Sequence, residues 1–189
     1  MLLWESPLEK ENTSNRGIVI VYTGNGKGKT TASLGVALRA IGQGLKVCMV
    51  QFIKGEWHYG ELNSIKKLEP DFELIVAGKG FVGIIDDDHA FEEHVSAAKT
   101  ALEIVEQKMS LDIFDIIILD EINYAVHLGL LQLSDVLRLI KNRPKQLSLI
   151  LTGNYACEEL ISLADLVTEM KAIKHPYKNG IKAKLGIDY

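Results

Sequence analysis

One stretch constrains the fold of this chain more than any other: Thr23-Gly24-Asn25-Gly26-Lys27-Gly28-Lys29-Thr30-Thr31. It follows the apolar run 18–22 and precedes a helix-like segment over 32–41, which predicts a glycine-rich turn between a strand and a helix. Glycines let backbone N–H groups converge on phosphate oxygens, and the helix N-terminus adds a partial positive charge. The stretch is therefore typical of a nucleotide phosphate loop.

The phosphate loop departs from the usual pattern in its length. That pattern places a glycine at position 23, but Thr23 stands there and Gly24 is the first glycine, so the loop is one residue short. We expect the shortening to affect how the phosphates are held. We also expect Lys29 to reach phosphate oxygens from a solvent-facing loop, and Thr30 to ligate Mg²⁺ through its hydroxyl.

Apolar runs alternate with amphipathic stretches from Gly17 onward, and this alternation predicts the fold class. Strands that are apolar throughout are buried on both faces, as in parallel sheets covered by helices. We therefore predict a single α/β domain over 17–189, with a mostly parallel sheet of about six strands and helices on both faces. The apolar runs are 18–22, 46–53, 72–77, 114–119, 147–151 and 165–170.

The segments around these runs carry further structural signals. Apolar residues recur at steps of three and four over about 88–109, and a second apolar set over 133–140 ends before Pro144, so both segments predict helices. The Asn-Gly signal in 175–181 predicts a loop or a short hairpin. Residues 1–16 show no core pattern and are expected to form a flexible arm, either frayed or ordered by a partner or substrate.

Charge and cysteine content narrow the expected partners and location. The net charge of −4 gives no general attraction to nucleic acid, and no apolar run reaches the roughly 20 residues of a membrane helix. The N-terminus lacks the basic start and apolar stretch of a secretion signal. Cys48 and Cys157 lie in unrelated contexts, so two buried thiols are expected rather than a disulfide, which favours the cytoplasm.

An acidic pair, Asp120-Glu121, directly follows the apolar run 114–119. In P-loop proteins such carboxylates hold Mg²⁺ or polarise a water molecule. Acidic residues are also favoured in a first helical turn, where the pair would only cap a helix. With a phosphate loop upstream the metal role is favoured, but the pattern does not say which carboxylate ligates.

Other candidate ligand-binding residues lie after apolar runs or on the helix that follows the loop. Ligands of such sheets bind at the carboxyl ends of the strands. Lys54 is a candidate second cation near the phosphates, or part of an ordinary strand exit. Phe81, which follows Gly80, either packs on a flat ligand or folds back on the core, and Arg39 faces either the ligand or solvent.

The polar residues before and within the 88–109 helix have a simpler interpretation. Asp86, Asp87 and Asp88 resemble a metal cluster, but they are expected to cap the helix that begins there. His89 and His94 are five residues apart, which is the wrong spacing for one helix face. We therefore expect both histidines at the surface.

Taken in chain order, these motifs resemble those of the P-loop corrinoid adenosyltransferases, which transfer the adenosyl group of ATP to cob(I)alamin. The resemblance covers nearly all of 17–189, and the combination is far more specific than the loop alone. The matching segments are 22–31, 50–55, 80–81, 119–123, 164–170, 174–177, 180–181, 183 and 186–187. The resemblance implies a RecA-like P-loop domain that is typically a homodimer.

The resemblance also implies a mechanism. In this family the shortened loop binds ATP with its triphosphate reversed, because the electrophile is the ribose C5′ carbon and the triphosphate is the leaving group. It implies that Thr30 and one of Asp120 or Glu121 hold Mg²⁺, and that cobalt(I) is the nucleophile, so no protein base is required. The nucleotide contacts that it implies are Gly24, Asn25, Gly26, Lys27, Gly28, Lys29, Thr30, Thr31 and Arg39.

Phe81 matches the family's aromatic residue next to the corrin, which displaces the lower cobalt ligand and eases reduction of Co(II). The family usually has tryptophan where this chain has Gly83, and Thr-Gly-Arg-Gly where this chain has Thr152-Gly153-Asn154-Tyr155. Either another aromatic residue, Trp57 or Tyr155, takes the missing place, or the corrinoid preference or activity differs.

We therefore predict an enzyme that uses ATP, Mg²⁺ and a reduced corrinoid and forms adenosylcobalamin and tripolyphosphate. A flavoprotein reductant is the family expectation. Two alternatives stay open. Asp120-Glu121 would suit a RecA-like ATPase or kinase, although the shortened loop would not. The second alternative is a non-catalytic nucleotide- or corrinoid-binding protein, which Gly83 and Asn154 suggest.

Overall fold

The predicted parallel sheet is present in the computed structural model, which describes residues 16–55, 59–80, 82–83 and 87–188. Each of the apolar runs forms a strand, and neighbouring strands pair in parallel in the order β3-β2-β4-β5-β1-β6. The strands are β1 (Val19–Thr23), β2 (Val47–Gln51), β3 (Phe72–Val76), β4 (Ile116–Asp120), β5 (Ser148–Thr152) and β6 (Leu166–Glu169). The sequence-based prediction of the fold class is confirmed.

Helices connect these strands and include both predicted ones. They are α1 (Lys29–Ile41), α2 (Gly60–Lys66), α3 (Phe91–Ser110), α4 (Ile122–His127), α5 (Leu133–Asn142) and α6 (Glu158–Leu163). None of these described helices is long and apolar enough to cross a membrane. Near the C-terminus, the turn predicted over 175–181 is a single 3-10 turn at Pro176–Asn179, closed by Gly180 at φ 72°, and not a hairpin.

The sheet has an apolar core on each face. Because successive strand residues point to opposite faces, Val19 and Val21 pack with α3, α4, α5 and α6, whereas Ile20 packs with α1 and α2. The same alternation divides Ile117 from Ile118 in β4. Helices therefore cover both faces, as predicted, and the carboxyl ends of the strands form the edge where polar residues collect.

The start of α3 differs from the prediction. The helix begins at Phe91, and Asp87 does not cap it; its carboxylate instead accepts hydrogen bonds from the backbone N–H of Gly83 (2.7 Å) and His89 (3.2 Å). These hydrogen bonds, and above all the one from Gly83, lower the pKa of the Asp87 carboxyl group. Asp86 lies outside the described residues.

The prediction of a surface position is wrong for His94. This side chain is 3 % exposed, and its Nε2 lies 3.0 Å from Oδ1 of Asp87. Helix periodicity could not reveal this pair because Asp87 lies in the preceding turn and folds back onto the helix. His89, in contrast, is exposed as expected.

The two cysteines are free thiols, as expected. Cys48 is fully buried in β2, and burial raises the pKa of its thiol to about 12, so it is protonated at neutral pH. Cys157 is partly exposed, so the expectation of two buried thiols is correct for Cys48 only. Of the expected N-terminal arm, only Arg16 is described, and its guanidinium donates a 3.0 Å hydrogen bond to Asp165.

Candidate nucleotide and metal site

The sheet order brings four polar positions together at one edge. The phosphate loop leaves β1 at Thr23, and the last residues of β2, β4 and β5 are Gln51, Asp120 and Thr152. Because β5 lies between β1 and β4, Thr152 stands between the loop and Asp120. Parallel strands end at the same edge of a sheet, which is where ligands of such folds bind.

The phosphate loop rests on the backbone that follows β6. Gly26 N–H donates a 2.7 Å hydrogen bond to the carbonyl of Met170. Gly24 has φ 95°, and a Cβ at this position would lie 2.4 Å from the Met170 carbonyl oxygen. The close approach and the left-handed backbone both require glycine here. Glycines of this loop therefore serve its contact with β6 as well as any contact with phosphate.

Two side chains fasten the loop to its neighbours. Thr23 stands where the usual pattern has glycine, and its hydroxyl accepts a 3.1 Å hydrogen bond from the backbone N–H of Ala156, beyond β5. Asn25 Oδ1 accepts a 3.0 Å hydrogen bond from the N–H of Ala172, beyond β6. The shortened loop is thus tied on both sides, to the strands that flank β1.

Lys29 does not face solvent, contrary to expectation. The residue is 9 % exposed, and its ammonium donates to the carbonyls of Gly24 (2.8 Å) and Gly26 (2.7 Å). Burial lowers the pKa of Lys29, while the nearby carboxylates of Glu121 and Asp120 oppose that shift. The lysine therefore points into the loop and is held there by the loop's own carbonyls.

The two other cations assigned to the nucleotide differ in position. Lys27, also in the loop, forms an ion pair with Asp188 near the C-terminus. Arg39 is exposed near the end of α1, roughly 15 Å along the helix axis from Lys29. Arg39 makes no described contact with the phosphate loop. Lys27 and Lys29 therefore lie at the loop, whereas Arg39 does not.

Asp120 is the centre of a buried hydrogen-bond network. Its side chain is fully buried, and Oδ1 accepts hydrogen bonds from the hydroxyls of Thr30 (2.9 Å) and Thr152 (2.7 Å). Oδ2 accepts one from Gln51 Nε2 at 3.1 Å and lies 3.7 Å from the ammonium of Lys54. Buried charge is tolerated only when it is paired and hydrogen-bonded, and this carboxylate is.

Glu121 lies beside Asp120 in an unusual backbone conformation. Its φ is 65°, in the left-handed region, and its N–H donates a 2.9 Å hydrogen bond to Thr152 Oγ1. Burial, and then the charge of Asp120, raise the pKa of Glu121 to about 7, although Lys29 and Lys54 pull it down. Non-glycine residues in this conformation often mark functional sites, where surrounding contacts hold the strain.

The donor set at this edge fits Mg²⁺ bound together with a nucleotide. Among the described residues no group of three or more His, Cys, Asp or Glu could hold a metal ion alone. Mg²⁺ is typically held by one or two carboxylates plus substrate phosphates, with water completing the shell. Asp120, Glu121 and the Thr30 hydroxyl supply hard oxygen ligands of this kind beside the phosphate loop.

Sequence reasoning missed three residues of this network: Gln51, Tyr59 and Thr152. Gln51 and Thr152 are both fully buried, and Tyr59 is 7 % exposed. The signal that could have found the first two is a polar residue in the last position of an otherwise apolar strand. Tyr59 had no comparable signal, because its contact depends on how the chain between β2 and α2 returns to the sheet.

Of the three aromatic residues considered for the corrin site, only Tyr155 lies within the described residues. Phe81 and Trp57 lie outside the described residues. Tyr155 is exposed, stacks on His127 with ring centroids 4.2 Å apart, and follows β5. Three strand positions separate β5 from β3, whose exit leads to Phe81 and Gly83, and this spacing is about 14 Å. The strands that precede Tyr155 and Gly83 are therefore not neighbours in the sheet.

Comparison with known proteins agrees with this geometry. The family model described as ATP:corrinoid adenosyltransferase BtuR/CobO/CobP matches residues 15–189. The corrinoid adenosyltransferase of Escherichia coli (strain K12) is 38% identical over 174 residues, covering 92% of this chain and 86% of that protein. Corrinoid adenosyltransferase CobA of Salmonella typhimurium is 37% identical, covering 92% and 86%.

A solved structure supports the fold alone. The flagellar accessory protein FlaH from Methanocaldococcus jannaschii superposes with a TM-score of 0.53 at 15% identity, covering 82% of this chain and 71% of that chain. The family model and the relatives carry the functional assignment. The chain belongs to the ATP:corrinoid adenosyltransferase BtuR/CobO/CobP family and is a transferase that adenosylates corrinoids at the expense of ATP.

Proposed function

We propose that the shortened phosphate loop binds the triphosphate of ATP as a leaving group and leaves the ribose C5′ carbon free to meet the cobalt of a reduced corrinoid. The observation that carries this proposal is the loop itself. It is one residue short, is tied at Thr23 and Asn25 to both neighbouring strands, and closes around the buried ammonium of Lys29. A rigid loop of this kind suits holding a departing anion in one place.

The loop's own groups neutralise the triphosphate. On nucleotide binding the ammonium of Lys29 exchanges the carbonyls of Gly24 and Gly26 for phosphate oxygens, and the loop N–H groups other than that of Gly26, which is bonded to Met170, converge on the same anion. Lys27 exchanges Asp188 for phosphate in the same way. Preorganised donors of this type stabilise charge that develops in the transition state.

Thr30 and Asp120 hold the magnesium ion, with Glu121 as a second carboxylate. Thr30 and Asp120 already contact each other at 2.9 Å, so they present hydroxyl and carboxylate oxygens to one place. A bound Mg²⁺ would offset the negative charge of the triphosphate as it departs. Asp120 is held in place by Thr30, Thr152 and Gln51. Burial and the charge of Asp120 raise the pKa of Glu121, so a nearby cation would stabilise the ionised form of Glu121.

The transfer step needs no acid or base from the protein. The cobalt(I) centre of the substrate supplies an electron pair to C5′, a Co–C bond forms, and the C5′–O bond breaks with its electrons going to tripolyphosphate. The side chains therefore act by alignment and electrostatics. Phe81 is proposed to contact the corrin and Arg39 the nucleotide, and a homodimer, a flavoprotein electron donor and a cytoplasmic location complete the proposal.

Product analysis tests this function. The protein is incubated with ATP, Mg²⁺ and chemically reduced cobalamin, phosphorus NMR identifies the phosphate product, and the visible spectrum reports the Co–C bond. Tripolyphosphate and adenosylcobalamin in equal amounts are expected. ADP and phosphate would overturn the proposal and favour phosphoryl transfer. A parallel arm with cobinamide, which lacks the lower nucleotide, determines whether a precursor corrinoid is also accepted.

A further inference from the structure

A buried polar chain connects the start of α2 to Asp120. The hydroxyl of Tyr59 donates a hydrogen bond to Gln51 Oε1, and Gln51 Nε2 donates to Asp120 Oδ2 at 3.1 Å. Gln51 and Asp120 are fully buried and Tyr59 is 7 % exposed. Tyr59 immediately precedes α2, so the chain joins this helix to the carboxyl ends of β2 and β4.

The carboxylate of Asp120 decides which way the amide of Gln51 points, and the hydroxyl of Tyr59 holds the amide in that position. An amide has a carbonyl oxygen that only accepts and an NH₂ group that only donates. Because a carboxylate only accepts, the NH₂ group is directed at Asp120, and Oε1 is left to accept the hydrogen bond from the Tyr59 hydroxyl. Rotation of the amide by half a turn would bring Oε1 against the carboxylate oxygen and leave the hydroxyl of Tyr59 without its acceptor, which is costly.

We infer that Tyr59 is a positioning residue for the magnesium carboxylate, acting through Gln51. This inference rests on the proposed role of Asp120 as a Mg²⁺ ligand. Gln51 fixes Oδ2 while Thr30 and Thr152 fix Oδ1, so the plane of the Asp120 carboxylate is set from both sides before the ion arrives. Outer groups that orient a metal ligand commonly change metal affinity by 10- to 100-fold when removed.

The ring of Tyr59 also lies beside the ammonium of Lys54, and this contact determines which variant is informative. The ammonium of Lys54 lies 4.5 Å from the centre of the Tyr59 ring, 2.9 Å from Glu61 and 3.7 Å from Asp120 Oδ2. Tyr59→Phe keeps the ring under Lys54 and removes only the hydroxyl that holds Gln51. The substitution therefore separates the orientation of Gln51 from the placing of Lys54.

The test measures magnesium dependence in the full-length protein. For Tyr59→Phe we expect the Mg²⁺ concentration that gives half-maximal transfer to rise about tenfold, with kcat at saturating Mg²⁺ within about twofold of wild type. A second readout needs no turnover: the increase in Tm that Mg²⁺ adds to the protein with ATP should shrink. A role in packing alone would lower the Tm of the free protein and leave both magnesium readouts unchanged, which would overturn the inference.

Two further variants show whether the effect passes through Gln51. Ser64→Ala removes an exposed hydroxyl from the same helix, where it donates to the Gly60 carbonyl, and should leave the magnesium dependence unchanged. In a Gln51→Ala background, Tyr59→Phe should add nothing further, because the contact that carries the effect is already gone. An equal additional shift in that background would contradict the inference.

The failure of this inference can be told from failure of the proposed function. If the wild-type protein transfers adenosyl groups and binds ATP without any response to Mg²⁺, the metal role of Asp120 is overturned and the inference with it. If the wild-type protein responds to Mg²⁺ and Tyr59→Phe responds identically, only the inference is overturned.

Discussion

The hydroxyl of Thr30 donates a 2.9 Å hydrogen bond to Oδ1 of Asp120, which joins the phosphate loop to the end of β4. These residues lie far apart in the chain. In the sheet, β5 lies between β1, which leads into the loop, and β4, which ends at Asp120. The bond shows that the phosphate loop and the end of β4 are in direct contact, as parts of one candidate site.

Replacing Thr30 by valine should therefore impair transfer while preserving the fold. Valine has the shape of threonine without the hydroxyl, and Asp120 keeps its donors Thr152 and Gln51, so the loss of unfolding free energy should be about 1 kcal/mol. Steady-state assays should show transfer reduced about 10²-fold. Thr30→Ser, which keeps the hydroxyl, should stay within a few-fold of wild type. Full activity in the valine variant would contradict a role of this hydroxyl.

Lys29→Met should abolish most of the transfer activity. Methionine retains the apolar stem but loses the ammonium, and loss of one such charge-stabilising donor typically costs about 3 kcal/mol of activation free energy, or 10²-fold in rate. The carbonyls of Gly24 and Gly26 also lose their donor, so a modest loss of stability is expected. Lys46→Met, at an exposed lysine, is the control for charge loss. Unchanged kcat in Lys29→Met would exclude the lysine from the mechanism.

Two glycine substitutions should have opposite effects on stability. Gly24→Ala places a methyl group 2.4 Å from the Met170 carbonyl oxygen at φ 95°, and should lower the free energy of unfolding by 1–3 kcal/mol, on the order expected of backbone strain. Gly35→Ala lies in α1 with open space around it and should raise that free energy by about 0.5–1 kcal/mol. Urea denaturation measures both. Equal stability of the two variants would show that the loop does not depend on its contact with Met170.

Glu121 predicts a pH dependence of stability. Burial raises its pKa from 4.5 to about 7, so between these pH values the folded protein binds more protons than the unfolded chain, and stability falls as pH rises. Glu121→Gln removes this titration. At pH 8 the variant should be more stable than wild type by an amount on the order of 3 kcal/mol, and the difference should vanish below pH 4.5. Urea denaturation of the nucleotide-free proteins across pH 4–8 tests this, and a constant difference would contradict it.

Much of the fold could be predicted from local pattern because the strands are apolar throughout. The run around β2, for example, is buried on both faces, and a parallel sheet between helices provides that environment. The phosphate loop and Asp120-Glu121 were recognisable for a related reason: each follows such a run directly. These signals are local in the chain, so a single sequence reveals them.

Contacts made across the sheet could not be predicted in the same way. Lys29 looked exposed because glycine-rich turns usually are, but the loop's carbonyls turn inward and enclose its ammonium. His94 looked like a surface residue because its partner, Asp87, belongs to the preceding turn. Tyr59 joins the site through Gln51 and Lys54, both of which lie outside its own helix. In each case the deciding partner lies off the residue's own helix face or strand.

The contact between Gly26 and Met170 also bears on how this protein is made. The phosphate loop follows β1, the first strand of the described residues, and the backbone on which it rests directly follows β6, the last of these strands. During translation from the N-terminus, the loop therefore stays without its support until β6 and Met170 have left the ribosome. Nascent chains truncated before β6 should not retain ATP, so the capacity to bind the nucleotide arises only after β6 has been synthesised.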